Sequence, residues 1–251
     1  MTEASALKSP IPVFPPPLAE KGLICAFSSR PFQNMSLHHG DTRHSLKNRE
    51  HFLGSMGVDY RDLVCGQQVH SDHIRRVTEE DRGRGALSHE TSLPETDALI
   101  TDKKNLPLAI FTADCLSVFL YDPLTPAIGL VHAGWRGCKE NISGKTVAYM
   151  RQAFQTRPGC LRAGFGPAIR DCCYEVGPDF QNCFPEGLLE RGGRTFLDLS
   201  AVNRRQLMNA GVLPEHITSA DLCTSCRNDL LFSFRREGPG CGRLMSVIML
   251  L

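Results

Sequence analysis

No apolar run in this 251-residue chain approaches the ~20 residues that a membrane-spanning helix needs. Residues 1–20 also lack an unbroken hydrophobic stretch. Pro10, Pro12, Pro15, Pro16 and Pro17 interrupt them, so the segment reads as a proline-rich lead-in without a signal-peptide core, and a cytoplasmic protein is expected. Excess charge of either sign is missing too. A formal net charge of +1 supplies no positive field of the kind that draws in nucleic acid, which leaves a small molecule as the expected partner. The phosphate-binding patterns GxGxxG after a strand and GxxxxGK followed by Ser or Thr are both absent, removing the two common nucleotide loops. There is no internal repeat and no regular βαβ alternation, which favours an α+β fold over a doubly wound sheet. None of the nine histidines forms a His-x-His pair for a coupled copper cluster. A second CxxC is missing as well, so Cys223-Thr-Ser-Cys226 reads as structural rather than as half of a zinc site.

What the sequence does contain is organised around residues 107–137. Two apolar runs, Leu108 to Thr112 and Leu116 to Tyr121, flank the polar break Ala113-Asp114-Cys115, and a third, Ala127 to Val131, follows the turn at residues 122–126. The pattern is strand, break, strand, turn, strand. His132 falls at the end of the third strand, before a Gly134-Trp135-Arg136-Gly137 corner that glycine makes easy. Cys115 and His132 therefore lie on neighbouring segments that can face one cleft. If the chain were extended at 114–115, Asp114 and Cys115 would face opposite sides of the sheet, and only a kink would turn Asp114 into the cleft.

Around this centre, Leu23 to Phe27 reads as a strand and Ser28 to Asp41, with Asn34, His38 and His39, as a loop at the cleft rim. Thr42 to Met56 has helical spacing, with Leu46, Phe52 and Leu53 pointing inward. Asp62 to Cys65 and Ile74 to Val77 read as strands, and the polar segment 81–95 as a mobile flap. Lys139 to Gln155 and Asp198 to Asn209 are expected helices, Pro178 to Phe184 a short one. Cys160 to Phe165, Ser219 to Leu222, Leu231 to Arg235 and Arg243 to Leu250 are expected strands. The eleven cysteines are an odd count in a chain without an export signal, and most are expected to be reduced, buried thiols.

Several of these stretches resemble the YfiH family, also called polyphenol-oxidase or laccase-domain proteins. TADCLSVFLYDP and VHAGWRG resemble its signature. Gln68-Val69-His70, Thr96 to Thr101, Gly166 to Gly177, Cys223-Thr224 and Phe232 to Arg236 resemble further elements, with Phe234 where Tyr is usual. The resemblance implies a single domain over residues 21–251, with two β-layers between outer helices in a four-layer α/β/β/α arrangement. It also implies zinc held by His70, Cys115 and His132. From spacing alone each of these would be an ordinary buried Cys or hydrogen-bonded His, yet two imidazoles and a thiolate do suit Zn²⁺ with a fourth position open. Arg49, in a pair resembling the family's Asn-Arg, joins Arg136 and Arg235 as candidate phosphate-binding groups, and Asp114 as a nearby acid.

The implied activity is phosphorolysis of adenosine, inosine and methylthioadenosine, with adenosine deamination as a second reaction. Three alternatives use the same residues. A copper oxidase would place copper on the His₂Cys set with a weak axial Met. A cysteine hydrolase acting on a cell-wall precursor amide would use Cys115 as nucleophile and His132 as base. A structural zinc would need a fourth protein ligand, for which His73 is nearest. Oligomeric state is left open.

Overall fold

The computed structural model describes residue 18 and residues 22–184 and 187–251. The expected proline-rich lead-in lies outside these residues, except for Leu18. In chain order the described strands are β1 (Leu23–Phe27), β2 (Val64–Cys65), β3 (Ile74–Arg76), β4 (Ala98–Thr101), β5 (Leu108–Thr112), β6 (Leu116–Asp122), β7 (Ala127–Ala133), β8 (Arg162–Phe165), β9 (Glu175–Val176), β10 (Leu188–Arg191), β11 (Arg194–Leu197), β12 (Ile217–Ser219) and β13 (Leu244–Leu250). The helices are α1 (Thr42–Gly54), α2 (Trp135–Lys139), α3 (Ile142–Phe154), α4 (Leu199–Asn209) and α5 (Phe234–Glu237).

Two sheets carry the fold. One runs β1-β13-β5-β2 and the other β12-β8-β6-β7-β4-β3, with a small β10-β11-β9 sheet beside them. Because side chains alternate along a strand, each sheet buries two faces. Leu108 and Ile110 of β5 and Leu244, Ile248 and Leu250 of β13 meet Phe119 and Tyr121 of β6 and Ile128 and Leu130 of β7 in the core between the sheets. Met245, Val247 and Met249 point the other way, onto Phe52 and Leu53 of α1. Leu116, Val118 and Leu120 pack with Ile142, Val147 and Met150 of α3 and Leu199, Val202 and Leu207 of α4. The result is one domain in the four-layer α/β/β/α order. It explains why β6, β7 and β13 are buried along their whole lengths and read as continuous apolar runs.

Several expectations need correction. Leu231 to Arg235 is not a strand. Ser233 caps α5 by accepting from the Arg236 amide, while Glu237 accepts from the Ser233 amide, so the chain turns helical there. The 81–95 segment is anchored rather than a mobile flap: Ala86 and Leu93 are fully buried, and short 3₁₀ turns lie at Glu79–Asp81 and His89–Thr91. The expected helix from Lys139 is two helices, α2 starting earlier and α3 restarting after Asn141 in the left-handed region at φ 62°. The first part of the expected Asp62 to Cys65 strand is a 3₁₀ turn, Tyr60–Asp62. The hairpin β10–β11, turning on Gly192 and Gly193 with φ of 56° and 72°, was legible as a Gly-Gly turn between apolar runs and is an addition to the expected elements.

Candidate metal and substrate site

The break at 113–115 is where the chain leaves one sheet for the other. β5 belongs to the first sheet and β6 to the second, and Asp114 makes the crossing with φ of 87°. This is the kink that an extended chain would lack, so Asp114 and Cys115 both line the same cavity of about 480 Å³. Strand register then assembles the rest. β6 and β7 pair Leu116 with Ala133 and Ser117 with His132, which sets Cys115 beside the end of β7. β4 and β7 pair Ala98 with Val131, so Asp97, one residue earlier, reaches His132. The His132 amide donates to the Asp97 carbonyl at 2.8 Å.

His70 arrives on the loop between β2 and β3, in the left-handed region at φ 62°. That conformation costs of order 1 kcal/mol for a residue with a Cβ, and the Asp97 carboxylate holds it. The amides of Val69, His70 and Ser71 donate to Asp97 at 3.1, 3.1 and 2.7 Å, and the Ser71 hydroxyl adds a bond of 2.7 Å. Gln68 fixes the start of the loop by exchanging two hydrogen bonds with the main chain of Phe111, at 2.9 and 2.8 Å. Gly134 matters for space, not for an unusual φ, which is −72° at the head of α2. A Cβ there would lie 2.8 Å from His70 Cδ2 and 3.2 Å from Cys115 Sγ.

The three ligand atoms of His70, Cys115 and His132 lie within 4.8 Å of one another, with Cys115 Sγ 3.8 Å from His70 Nε2. Bond lengths of about 2.3 Å to sulfur and about 2.0 Å to nitrogen, at a tetrahedral angle, place S and N about 3.5 Å apart. The set therefore fits a tetrahedral ion, and the two imidazole planes cross at 73° rather than stacking. His132 Nδ1 is bonded to Asp97 Oδ1 at 2.7 Å, which leaves Nε2 for an ion or for Cys115. A carboxylate behind a ligating histidine sets its tautomer and raises its basicity. In the sequence Asp97 stands only as part of the Thr96 to Thr101 element; the signal for its role is an acid immediately before a strand that pairs with the histidine's strand. His73 sits apart, with Nδ1 3.0 Å from the Glu95 carbonyl, and is not among the grouped ligand atoms.

The electrostatics favour deprotonated sulfur. Burial alone would raise the Cys115 thiol, but His132 and His70 outweigh it and lower its pKa to about 6. Burial would lower His132, yet Cys115 and Asp97 raise it to about 9. Burial would likewise raise Asp97, and its bonds from His132 and Ser71 bring it down to about 2. By contrast, burial pushes Cys65 and Cys138 up to about 11 and about 12.

Arg49, Arg136, Arg235 and Asp114 all line the cavity that holds the three ligands. Arg136 is exposed and its guanidinium lies 4.4 Å from the Trp135 ring. Arg235 is exposed, donates to the Glu175 carbonyl at 3.0 Å and lies 5.1 Å from the Tyr174 ring. Arg49 is buried. Its Nε donates to Met35 O at 2.9 Å, and its Nη1 to the carbonyls of Gly85 and Ala86 at 2.9 and 2.8 Å. Asp114 accepts from the Thr224 hydroxyl and from the Arg235 amide, both at 2.6 Å. It thereby fixes where α5 begins and where Arg235 stands. The rings of His38, from the expected rim loop, and His89, 4.7 Å apart, complete the walls with Tyr174 and Phe234.

The family model described as "Multi-copper polyphenol oxidoreductase laccase" matches residues 25–251. The chain belongs to that family. It is 34% identical to the purine nucleoside phosphorylase YlmD of Bacillus subtilis, over 88% of this chain and 84% of that one. It is 32% identical to the adenosine deaminase RL5 of an unknown prokaryotic organism, over 77% of each chain. The crystal structure of YlmD from Geobacillus stearothermophilus superposes with a TM-score of 0.89 at 34% identity, covering 94% of both chains. The two chains thus share the four-layer fold described above, and among the described residues no helix is long and apolar enough to cross a membrane.

Proposed function

We propose that this protein is a zinc-dependent purine nucleoside phosphorylase of the cytoplasm, acting on adenosine, inosine and methylthioadenosine, with adenosine deamination as a second activity. The observation that carries the reading is a three-ligand His₂Cys set, braced by Asp97, opening into a cavity whose walls present two exposed arginines. The names of the relatives support the same reaction class. Zn²⁺ suits the donor set better than copper, because a blue-copper site adds a weak axial Met or Gln; no methionine is among the described residues lining the cavity, and the amide of Gln68, which does line it, is bonded through both atoms to the main chain of Phe111. Bound there, Zn²⁺ supplies Lewis acidity toward a substrate atom.

In phosphorolysis a phosphate oxygen forms a bond to the ribose C1′ as the bond from C1′ to the purine nitrogen breaks. The electron pair leaves with the base, which takes up a proton. Arg136 and Arg235 bind and orient the phosphate, since a guanidinium presents paired donors to an oxyanion. Arg49, with Nε and Nη1 already on carbonyls, mainly holds the cavity wall. Tyr174 and Phe234 offer apolar faces to the purine. Asp97 keeps the His132 proton on Nδ1 and leaves Nε2 facing the cavity. In deamination, water adds to the purine C6 and ammonia leaves.

One geometric feature favours a second reading. Cys115, His132 and Asp97 form a nucleophile, base and orienting-acid series, and the lowered thiol suits a cysteine hydrolase. Chelation separates the two: stripping the metal should abolish hypoxanthine release from inosine, with recovery on adding Zn²⁺, and Cys115→Ala should lose it by at least ~100-fold, the range of a lost transition-state contact. A metal-stripped protein that cleaves amides faster than the loaded one would support the hydrolase instead.

A further inference from the structure

Cys223 and Cys226 lack a sequence-adjacent partner pair, and this had argued against a second metal. The fold supplies the pair from elsewhere. β8 and β12 run parallel, Phe165 beside Ser219, so the loops leaving their ends emerge side by side. Cys172 and Cys173 lie on the first loop and Cys223 and Cys226 on the second. The loops are stitched together by amide bonds from Ala168 to Leu222 O and from Thr224 to Ala168 O, at 3.2 and 3.0 Å.

All four sulfurs lie within 4.8 Å of one another. Cys226 Sγ is 3.6 Å from Cys172 Sγ and 3.4 Å from Cys173 Sγ. A disulfide needs about 2.05 Å, whereas a tetrahedral ion with metal–sulfur bonds of about 2.3 Å separates its sulfurs by about 3.8 Å. The space fits one ion. Cys172 and Cys226 are exposed, so an ion can enter from solvent.

We infer that Cys172, Cys173, Cys223 and Cys226 form a second metal site, a closed tetrathiolate that binds Zn²⁺ structurally. With four protein ligands it leaves no position for substrate. Its effect is to tie together the two loops that carry the cavity wall: Ile169 and Tyr174 follow the first strand, and Thr224 and Arg235, both bonded to Asp114, follow the second. Holding residues more than fifty apart, it acts as a staple whose binding energy adds to folding.

The test is metal counting on reduced protein in the Cys115→Ala background, which removes a ligand of the other site. The single variant should retain one Zn²⁺ per chain, and the Cys115→Ala/Cys223→Ser/Cys226→Ser triple variant should retain none. On the single variant, titrating thiols with a mercurial should release that Zn²⁺ as four thiols react, and Co²⁺ in its place should give the intense visible bands of a tetrahedral tetrathiolate. This measurement stands even if the triple variant misfolds. Metal-free Cys115→Ala protein, or zinc retained while these four thiols alkylate freely or are found paired in a disulfide, would overturn the site. Because neither count depends on nucleoside turnover, failure here is distinct from failure of the phosphorylase reading.

Discussion

In the proposed reading the chemistry turns on Cys115, and its environment makes its protonation measurable. In metal-depleted protein, alkylation of Cys115 followed by peptide mapping should rise with a midpoint near pH 6, while buried Cys65 and Cys138 stay unreactive at neutral pH. A midpoint near the ordinary 9 would contradict the thiolate–imidazolium pairing. Asp97 has a second measurable consequence. Asp97→Asn leaves the size of the side chain but removes the charge behind His132, and metal affinity should fall by about 10- to 100-fold. The Asp97 pKa of about 2 in the folded protein lies below its usual 3.8. The carboxylate's contribution is therefore complete above about pH 4 and is lost as pH falls toward 2. The stability gap between wild type and Asp97→Asn in urea melts should be wide at pH 6 and narrower at pH 3; a gap independent of pH would refute this role. Cys115 and His132 could be placed on one cleft because each ends or begins an apolar run, and only motif resemblance singled them out as ligands. Asp97 could not, because its role depends on which strand pairs with β7.

At the scale of elements, the site is built from strand ends and one helix start, packed so closely that glycine is required. Gly134→Ala would drive a methyl against His70 Cδ2 and Cys115 Sγ. The expected outcome is a protein that keeps its helix and sheet content by circular dichroism but loses zinc at this site by more than tenfold. Normal metal content in that variant would show that the loop relaxes without cost. The long buried strands and the starts of α1 and α4 were legible because apolar runs and helical spacing are local; in the structure Asp41 and Asp198 cap those two helices. The 231–235 segment misled because Leu231 and Phe232 are buried like strand residues, while the Ser233 cap and the Glu237 side chain set the backbone immediately after them. Likewise, the low hydrophobicity of residues 81–95 suggested mobility, but Gly85 and Ala86 are held by the Arg49 guanidinium.

Over the whole molecule, the chain uses two sheets so that one crossover can place a thiol at their junction. The layers and the grouping of His70, Cys115 and His132 could be anticipated from motif resemblance. What could not was anything set by contacts between segments distant in sequence: the meeting of the two cysteine pairs, the bonding of Arg235 to Asp114, and the burial of Arg49. The central claim is that the cavity beside His70, Cys115 and His132 transfers ribose to phosphate. The most direct measurement is hypoxanthine release from inosine by the zinc-loaded protein as a function of phosphate concentration, with the sugar product identified. The account requires release that rises from near zero and saturates with phosphate, yielding ribose 1-phosphate, with Arg136→Ala and Arg235→Ala each raising the KM for phosphate. Release independent of phosphate, yielding free ribose, or no release from a fully zinc-loaded protein, would contradict it.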